Sequence, residues 1–173
     1  MNNWLATILF FLPAGIANAA PVLAKKIPII KNWKTPLDMG ITWHGKPVFG
    51  KNKTWRGVVT GSLIAGLTAV LLSPLVNYGE GLLIAFGLGV IMGFGALFGD
   101  AVESALKRRR GISSGNSWFP FDQIDYIIGG LLFLIPFTNL TWRQMGLIFV
   151  TFLGLHLVTA YCGYLLGLKD KPI

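Results

Sequence analysis

The sequence predicts an all-α, polytopic integral membrane protein with five transmembrane helices, its N-terminus outside and its C-terminus cytoplasmic. Three observations carry that expectation. The 173-residue chain is 53% hydrophobic and only 13% charged, about half the charge of a soluble domain. Its uncharged stretches run 1–24, 57–79, 81–99, 126–142 and 144–168, and all but the fourth reach or nearly reach the roughly 20 residues that a spanning helix needs. Its basic residues fall almost wholly on one side of those stretches, as they do in cytoplasmic loops. Residues 1–173 read as one membrane-embedded domain.

Each helix has its own signal. The first is placed at 3–24. "ANAA" at 18–21 would suit a cleavage site, but a secretory signal needs a positively charged start and "MNNWLATILF" has no Lys or Arg. An uncleaved span is expected, with Asn18 and Pro21 interrupting it. The second helix is placed at 57–77. The third, 81–108, runs past its apolar part into charge. The fourth, 122–138, starts after the helix breakers of "GISSGNSWFP", where Gly111 and Gly115 allow turns and Pro120 suits a helix start. The fifth is placed at 143–167. The pairs Gly57/Gly61, Gly89/Gly93 and Gly95/Gly99 predict close helix packing; a homodimer contact is their second possible use.

Orientation follows from the charge count. Loop 25–56 carries Lys25, Lys26, Lys31, Lys34, Lys46, Lys51, Lys53 and Arg56, and the stretch 107–121, the end of the third helix with loop 109–121, carries Lys107, Arg108, Arg109 and Arg110. Lys169 and Lys171 add to the same side, against Arg143 alone on the other. The net charge of +8 is thus gathered on one face, where it attracts anionic head groups or a nucleotide triphosphate. Nucleic acid is not an expected partner, because that role calls for an exposed basic and aromatic surface. The single Cys162 makes neither a disulfide nor a metal cluster within the chain.

"GDAVESALKRRRGISSGNSWFPFDQID", Gly99–Asp125, holds four of the seven acidic residues. If the third helix continues through it, Asp100, Glu103, Ser104, Lys107 and Arg108 share one face. Acids within a membrane segment mark function by default. Asp122 and Asp125 share a face at the start of the fourth helix. Asp100, Asp122 and Asp125 are therefore the expected ligands of Mg²⁺, a cation suited to oxygen-only sites shared with phosphates. Metals that neutralise oxygens and cations that position them are what nucleotidyl transfer requires. The other inside loop, "GKPVFGKNKTWRG", offers Asn52, Lys53, Thr54 and Arg56 before a helix start, where anions bind readily. It is not a Walker A loop. Asp38 reads as a turn residue, His44 as a loop residue and His156 as a packed histidine.

These residues resemble a known family. Gly99, Asp100, Glu103, Ser104, Lys107, Arg108, Pro120, Asp122 and Asp125 are similar to the signature of the CTP-dependent cytidylyltransferases of phospholipid synthesis. "KTWRG", Lys53–Gly57, resembles the upstream element of that family. Gln123 stands where the bacterial pattern has arginine, "FPF" replaces a glycine-histidine stretch, and the chain is much shorter. These departures are similar to the compact archaeal branch, the CDP-archaeol synthase family.

The resemblance implies transfer of CMP from CTP to an isoprenoid ether-lipid phosphate at the cytoplasmic face of the cell membrane, with one or two Mg²⁺ ions. It implies catalytic roles for Asp100, Asp122, Asp125 and Lys107, and substrate contacts from Lys53, Thr54, Arg56, Ser104, Arg108, Glu103 and Asn18. Two other readings stand beside it: a CTP-dependent polyprenol- or phytol-type lipid kinase, and a small membrane transporter, which would place its acids nearer the bilayer midplane.

Overall fold

The computed structural model describes residues 4–25, 27–113 and 116–167. Lys26, Gly115, Lys169 and Lys171 lie outside the described residues. Helices dominate: α1 (Trp4–Ala24), α2 (Trp55–Leu72), α3 (Leu82–Arg109), α4 (Phe121–Leu134) and α5 (Trp142–Leu165). Four of them, α1, α2, α3 and α5, are long and apolar enough to cross a membrane. α4 has 14 residues and continues as a 3-10 turn, Ile135–Phe137. Large apolar side chains such as Leu67, Leu71, Leu83 and Val150 point outward. That costs nothing in a bilayer, which solvates them.

The helix ends follow local chemistry. Thr54 caps α2 by accepting from the Gly57 N–H at 3.3 Å. α2 stops at Leu72, short of the expected residue 77, because Pro74 cannot continue it. Pro136 likewise converts the end of the fourth segment into its 3-10 turn. Thr141 and Gln144 form a reciprocal capping box at the start of α5. The all-α expectation misses one small element in the loop between α1 and α2. β1 (Thr42–Trp43) and β2 (Lys46–Pro47) form an antiparallel hairpin. His44 and Gly45 turn it, both with positive φ, as short hairpin turns demand.

Small residues bring the helices together. α1 turns Ala14, Ala17 and Ala20, all buried, toward the core, and a side chain at Gly61 of α2 would meet Leu97 and the Ala17 carbonyl. The core itself is filled by Phe11, Met92, Ile127, Leu134 and Ile148. The tightest approach joins α3 to α4. A Cβ on Gly99 would strike the Asp125 carbonyl oxygen, and one on Gly129 would strike the Gly95 carbonyl oxygen. The Gly-x3-Gly pairs are thus used within the chain. α5 is held more lightly, burying only Ile148, Phe152 and Ala160. Phe152 packs edge-on against Phe11 at 5.1 Å, and the Tyr126 hydroxyl donates to its carbonyl at 3.1 Å.

Candidate active site

α3 sets the level of the site by its length. Its 28 residues rise about 42 Å, against a hydrocarbon thickness of about 30 Å. The surplus is the charged end. Asp100, Glu103, Ser104, Lys107 and Arg108 all line one cavity of about 260 Å³. Four further elements complete its walls. Asn18 comes from α1, Asn52 and Lys53 from the loop before α2, Asp122 and Asp125 from α4, and His156 from α5. A second cavity of about 260 Å³ adjoins it, lined by Pro21, Lys25, Thr54 and Gly57 among others. Asn18, Asn52, Lys53 and Asp100 belong to both.

Charges pair across the elements. Lys53 Nζ donates to Asp100 Oδ2 at 2.5 Å and so stands where the two cavities meet. Lys107 Nζ donates to Asp122 Oδ1 at 2.5 Å and lies 3.5 Å from Glu103 Oε1. Asp122 Oδ2 accepts the Trp118 N–H at 2.7 Å, and Asp125 Oδ1 accepts the Tyr126 N–H at 2.6 Å. Arg108 donates to the Ile112 carbonyl at 2.7 Å, which folds the following loop back over the helix end.

Asp100, Glu103 and Asp125 each present a carboxylate oxygen within 4.8 Å of the others. Glu103 is buried at 6% exposure, and its Oε1 accepts no hydrogen bond in the structure. Three close carboxylate oxygens, one of them on the buried Glu103, fit a divalent cation. This grouping differs from the set expected from the sequence. Glu103, one turn along α3, stands with Asp100 and Asp125. Asp122 stands beside Glu103, with its oxygens also on Lys107 and the Trp118 backbone.

Other candidates fall inside or outside the cavity. Ser104 is buried in its wall. Thr54 spends its hydroxyl on the α2 cap. Arg56 is buried and donates to the Lys31 carbonyl at 2.7 Å, tying down the first loop rather than lining either cavity. Gln123 is also buried. Arg109 leaves the site altogether. It stacks 4.8 Å from the Trp43 ring and donates to the Pro47 carbonyl at 3.2 Å, joining the hairpin to the end of α3. His156, read from the sequence as a packed histidine, also reaches the site. It lines the charged cavity with its ring 5.8 Å from that of Tyr126. The available signal was its place midway along an apolar helix, where an ionisable side chain is a functional candidate.

Known proteins resemble this chain in sequence and fold. The family model described as CarS-like, CDP-archaeol synthase, matches residues 1–173. The chain is 31% identical to the CDP-archaeol synthase of Pyrococcus furiosus over 173 residues, covering 99% of each. It is 33% identical to that of Thermococcus kodakarensis over 178 residues, covering 98% of this chain and 99% of the relative. A solved structure of an intramembrane enzyme for archaeal membrane lipid biosynthesis matches with a TM-score of 0.76 at 31% identity, covering 91% of this chain and 94% of that one. Long apolar helices around a carboxylate-rich cavity, together with these matches, define a multi-pass intramembrane enzyme that acts on a nucleotide and a membrane lipid. Within that class, the chain belongs to the CDP-archaeol synthase family.

Proposed function

We propose that the chain transfers CMP from CTP to 2,3-bis-O-(geranylgeranyl)-sn-glycerol 1-phosphate, giving unsaturated CDP-archaeol and pyrophosphate. The observation that carries this reading is the convergence of three carboxylates with Lys53, Lys107 and Arg108 at the charged end of the apolar helices. A lipid phosphate oxygen attacks the α-phosphorus of CTP. The bond from that phosphorus to the oxygen bridging to the β-phosphate breaks, and its electron pair leaves with pyrophosphate. The nucleophile is already anionic, so no strong general base is needed. What the protein supplies is position and charge neutralisation.

Asp100, Glu103 and Asp125 would hold Mg²⁺, which when bound neutralises phosphate oxygens and orients them. Asp122 holds Lys107 at the cavity wall, and Lys107 and Arg108 face the phosphates. Lys53 has a foot in both cavities and exchanges its carboxylate partner for a phosphate oxygen when substrate arrives. Its pair with Asp100 is about a quarter exposed on each side, and such partly solvated pairs are weak enough to exchange. Ser104 and Asn18 offer hydrogen bonds from α3 and α1. His156 reaches the cavity from α5, whose outer faces meet the bilayer, and is placed to donate to the lipid phosphate.

In the membrane, α4 and its 3-10 turn form the fifth span. They cover Phe121–Phe137, about 27 Å of rise. Both charged loops face the cytoplasm, the N-terminus lies outside and the C-terminus inside, in keeping with the basic residues gathered on one side. The test uses detergent-purified protein, Mg²⁺, radiolabelled CTP and either the ether-lipid phosphate or diacyl phosphatidate. Label from the α-position in the lipid fraction, dependent on the ether lipid, is the expected result. Label passing only from the γ-position would make the protein a kinase and refute the proposal.

A further inference from the structure

Asp38 lines neither cavity and takes no part in the chemistry above, yet it is buried at 7% exposure. Its Oδ1 accepts the Gly40 N–H at 3.1 Å. Its Oδ2 accepts the N–H groups of Phe49 and Gly50 at 2.9 and 3.0 Å. One carboxylate therefore closes the loop 38–50 at its base, with the hairpin inside the closure. Gly50 follows with φ +91°, a conformation natural only to glycine. Its carbonyl accepts the Lys53 N–H at 3.2 Å, and the Lys53 carbonyl accepts the Leu37 N–H at 2.8 Å. Thus the backbone of Lys53 is gripped on one side by Gly50 and on the other by Leu37, and both are tied directly to Asp38. Two hydrogen bonds separate the Asp38 carboxylate from Lys53.

We propose that Asp38 is a positioning residue, whose carboxylate sets the loop so that Lys53 is aimed into the phosphate cavity. A carboxylate suits the task because it accepts on both oxygens and strengthens each bond with its charge. An asparagine cannot replace it. Whichever oxygen becomes an NH₂, it faces either the Gly40 N–H or the paired N–H groups of Phe49 and Gly50. The proposal rests on the CTP reading above, because it is the phosphates that Lys53 is aimed toward.

A double-mutant cycle with Lys53 tests it. Asp38→Ala should lower kcat/KM for CTP by about 100-fold, the scale of a 1 Å misplacement, and Asp38→Asn by about tenfold. If Asp38 acts through Lys53, Asp38→Ala in the Lys53→Ala background should cost less than about threefold, because coupled sites are not additive. An equal loss in both backgrounds would mean a merely structural role and would overturn the proposal, as would wild-type turnover in Asp38→Ala. A second readout does not need turnover: the rate of labelling of Lys53 Nζ by an amine-reactive reagent, read by mass spectrometry. Labelling several-fold faster in Asp38→Ala than in wild type supports the positioning role even if no lipid is turned over. Unchanged labelling refutes it. Failure of the wild type with both lipids instead sinks the CTP reading and leaves the labelling result to decide on Asp38.

Discussion

Replacing Gly99 by alanine adds one methyl group at the point where α3 and α4 come closest. A Cβ there would overlap the Asp125 carbonyl oxygen, and would sit 3.0 Å from the Gly129 Cα and 3.1 Å from the Asp125 carbonyl carbon. Carbon atoms are comfortable at about 3.5–4.0 Å, so these two contacts alone require about half an ångström of retreat. Relief of the oxygen overlap requires more, which brings the total to about 1 Å. The atoms that must give are helix backbone, which has no rotamer to escape into. The first turns of α4 therefore move away from α3 and carry Asp125 from Asp100 and Glu103. Overpacking costs about 1–3 kcal/mol of stability, which a folded helical protein can survive. The catalytic loss is larger, because about 1 Å of misplacement is worth about 100-fold in rate. The assay is α-labelled CTP incorporation into ether lipid, with thermal unfolding in detergent as the control for folding. A Gly99→Ala protein that folds and turns over at the wild-type rate would refute the claim that this close approach sets the carboxylate geometry.

Three other expectations follow from the site. Asp100→Asn should cut turnover by about 100- to 1,000-fold while the protein still inserts and folds, the loss expected when a main charge-stabilising group goes; near-normal incorporation would remove the metal-site reading. His156→Ala should raise the KM for the lipid phosphate about tenfold, the worth of one hydrogen bond to a charged group, with the KM for CTP little changed; a rise confined to CTP would put the histidine on the nucleotide instead. Burial pushes the Asp38 carboxyl up, but N–H groups from Gly50, Phe49 and Gly40 outweigh it and hold the group below its usual value. A carboxyl depressed in the folded state stabilises above its unfolded pKa of about 3.9 and loses that contribution as pH falls through the folded value. The gap in thermal stability between wild type and Asp38→Asn should then be full at pH 7 and shrink below about pH 4; a gap that is constant with pH would contradict it.

The helices were legible because hydropathy and end chemistry are local. Pro74 and Pro136, which trim two helices relative to expectation, were equally visible but needed to be weighted against a continuing apolar run. The hairpin at 42–47 was not legible, because two residues per strand carry no periodic signal. At the site, the spacing of Asp100, Glu103, Ser104, Lys107 and Arg108 correctly put them on one face. Which carboxylates would stand together was a different matter. That depends on the rotation of α4 against α3, which Gly95, Gly99 and Gly129 set by backbone contact across 26 or more residues of chain. The same applies to His156, whose helix position is legible but whose facing partner is not. Arg56 shows the converse: its neighbours Lys53 and Thr54 made it look like a phosphate ligand, yet one helical step turns its guanidinium into the loop behind.

The loop between α1 and α2 and the charged end of α3 are physically one unit. Arg109, at the end of α3, stacks on Trp43 and donates to Pro47 in the hairpin, while the base of that hairpin is closed by Asp38 and leads through Gly50 to Lys53. Lys53 in turn returns to α3 at Asp100. The path is a ring: α3, hairpin, loop, lysine, α3. Such a ring resists deformation, because moving any one member strains bonds on both sides of it. It explains how the cavity can hold Lys53 in register with its carboxylates although Lys53 comes from a loop. α5 is held differently. It buries few side chains and reaches the site through His156 alone among the described residues.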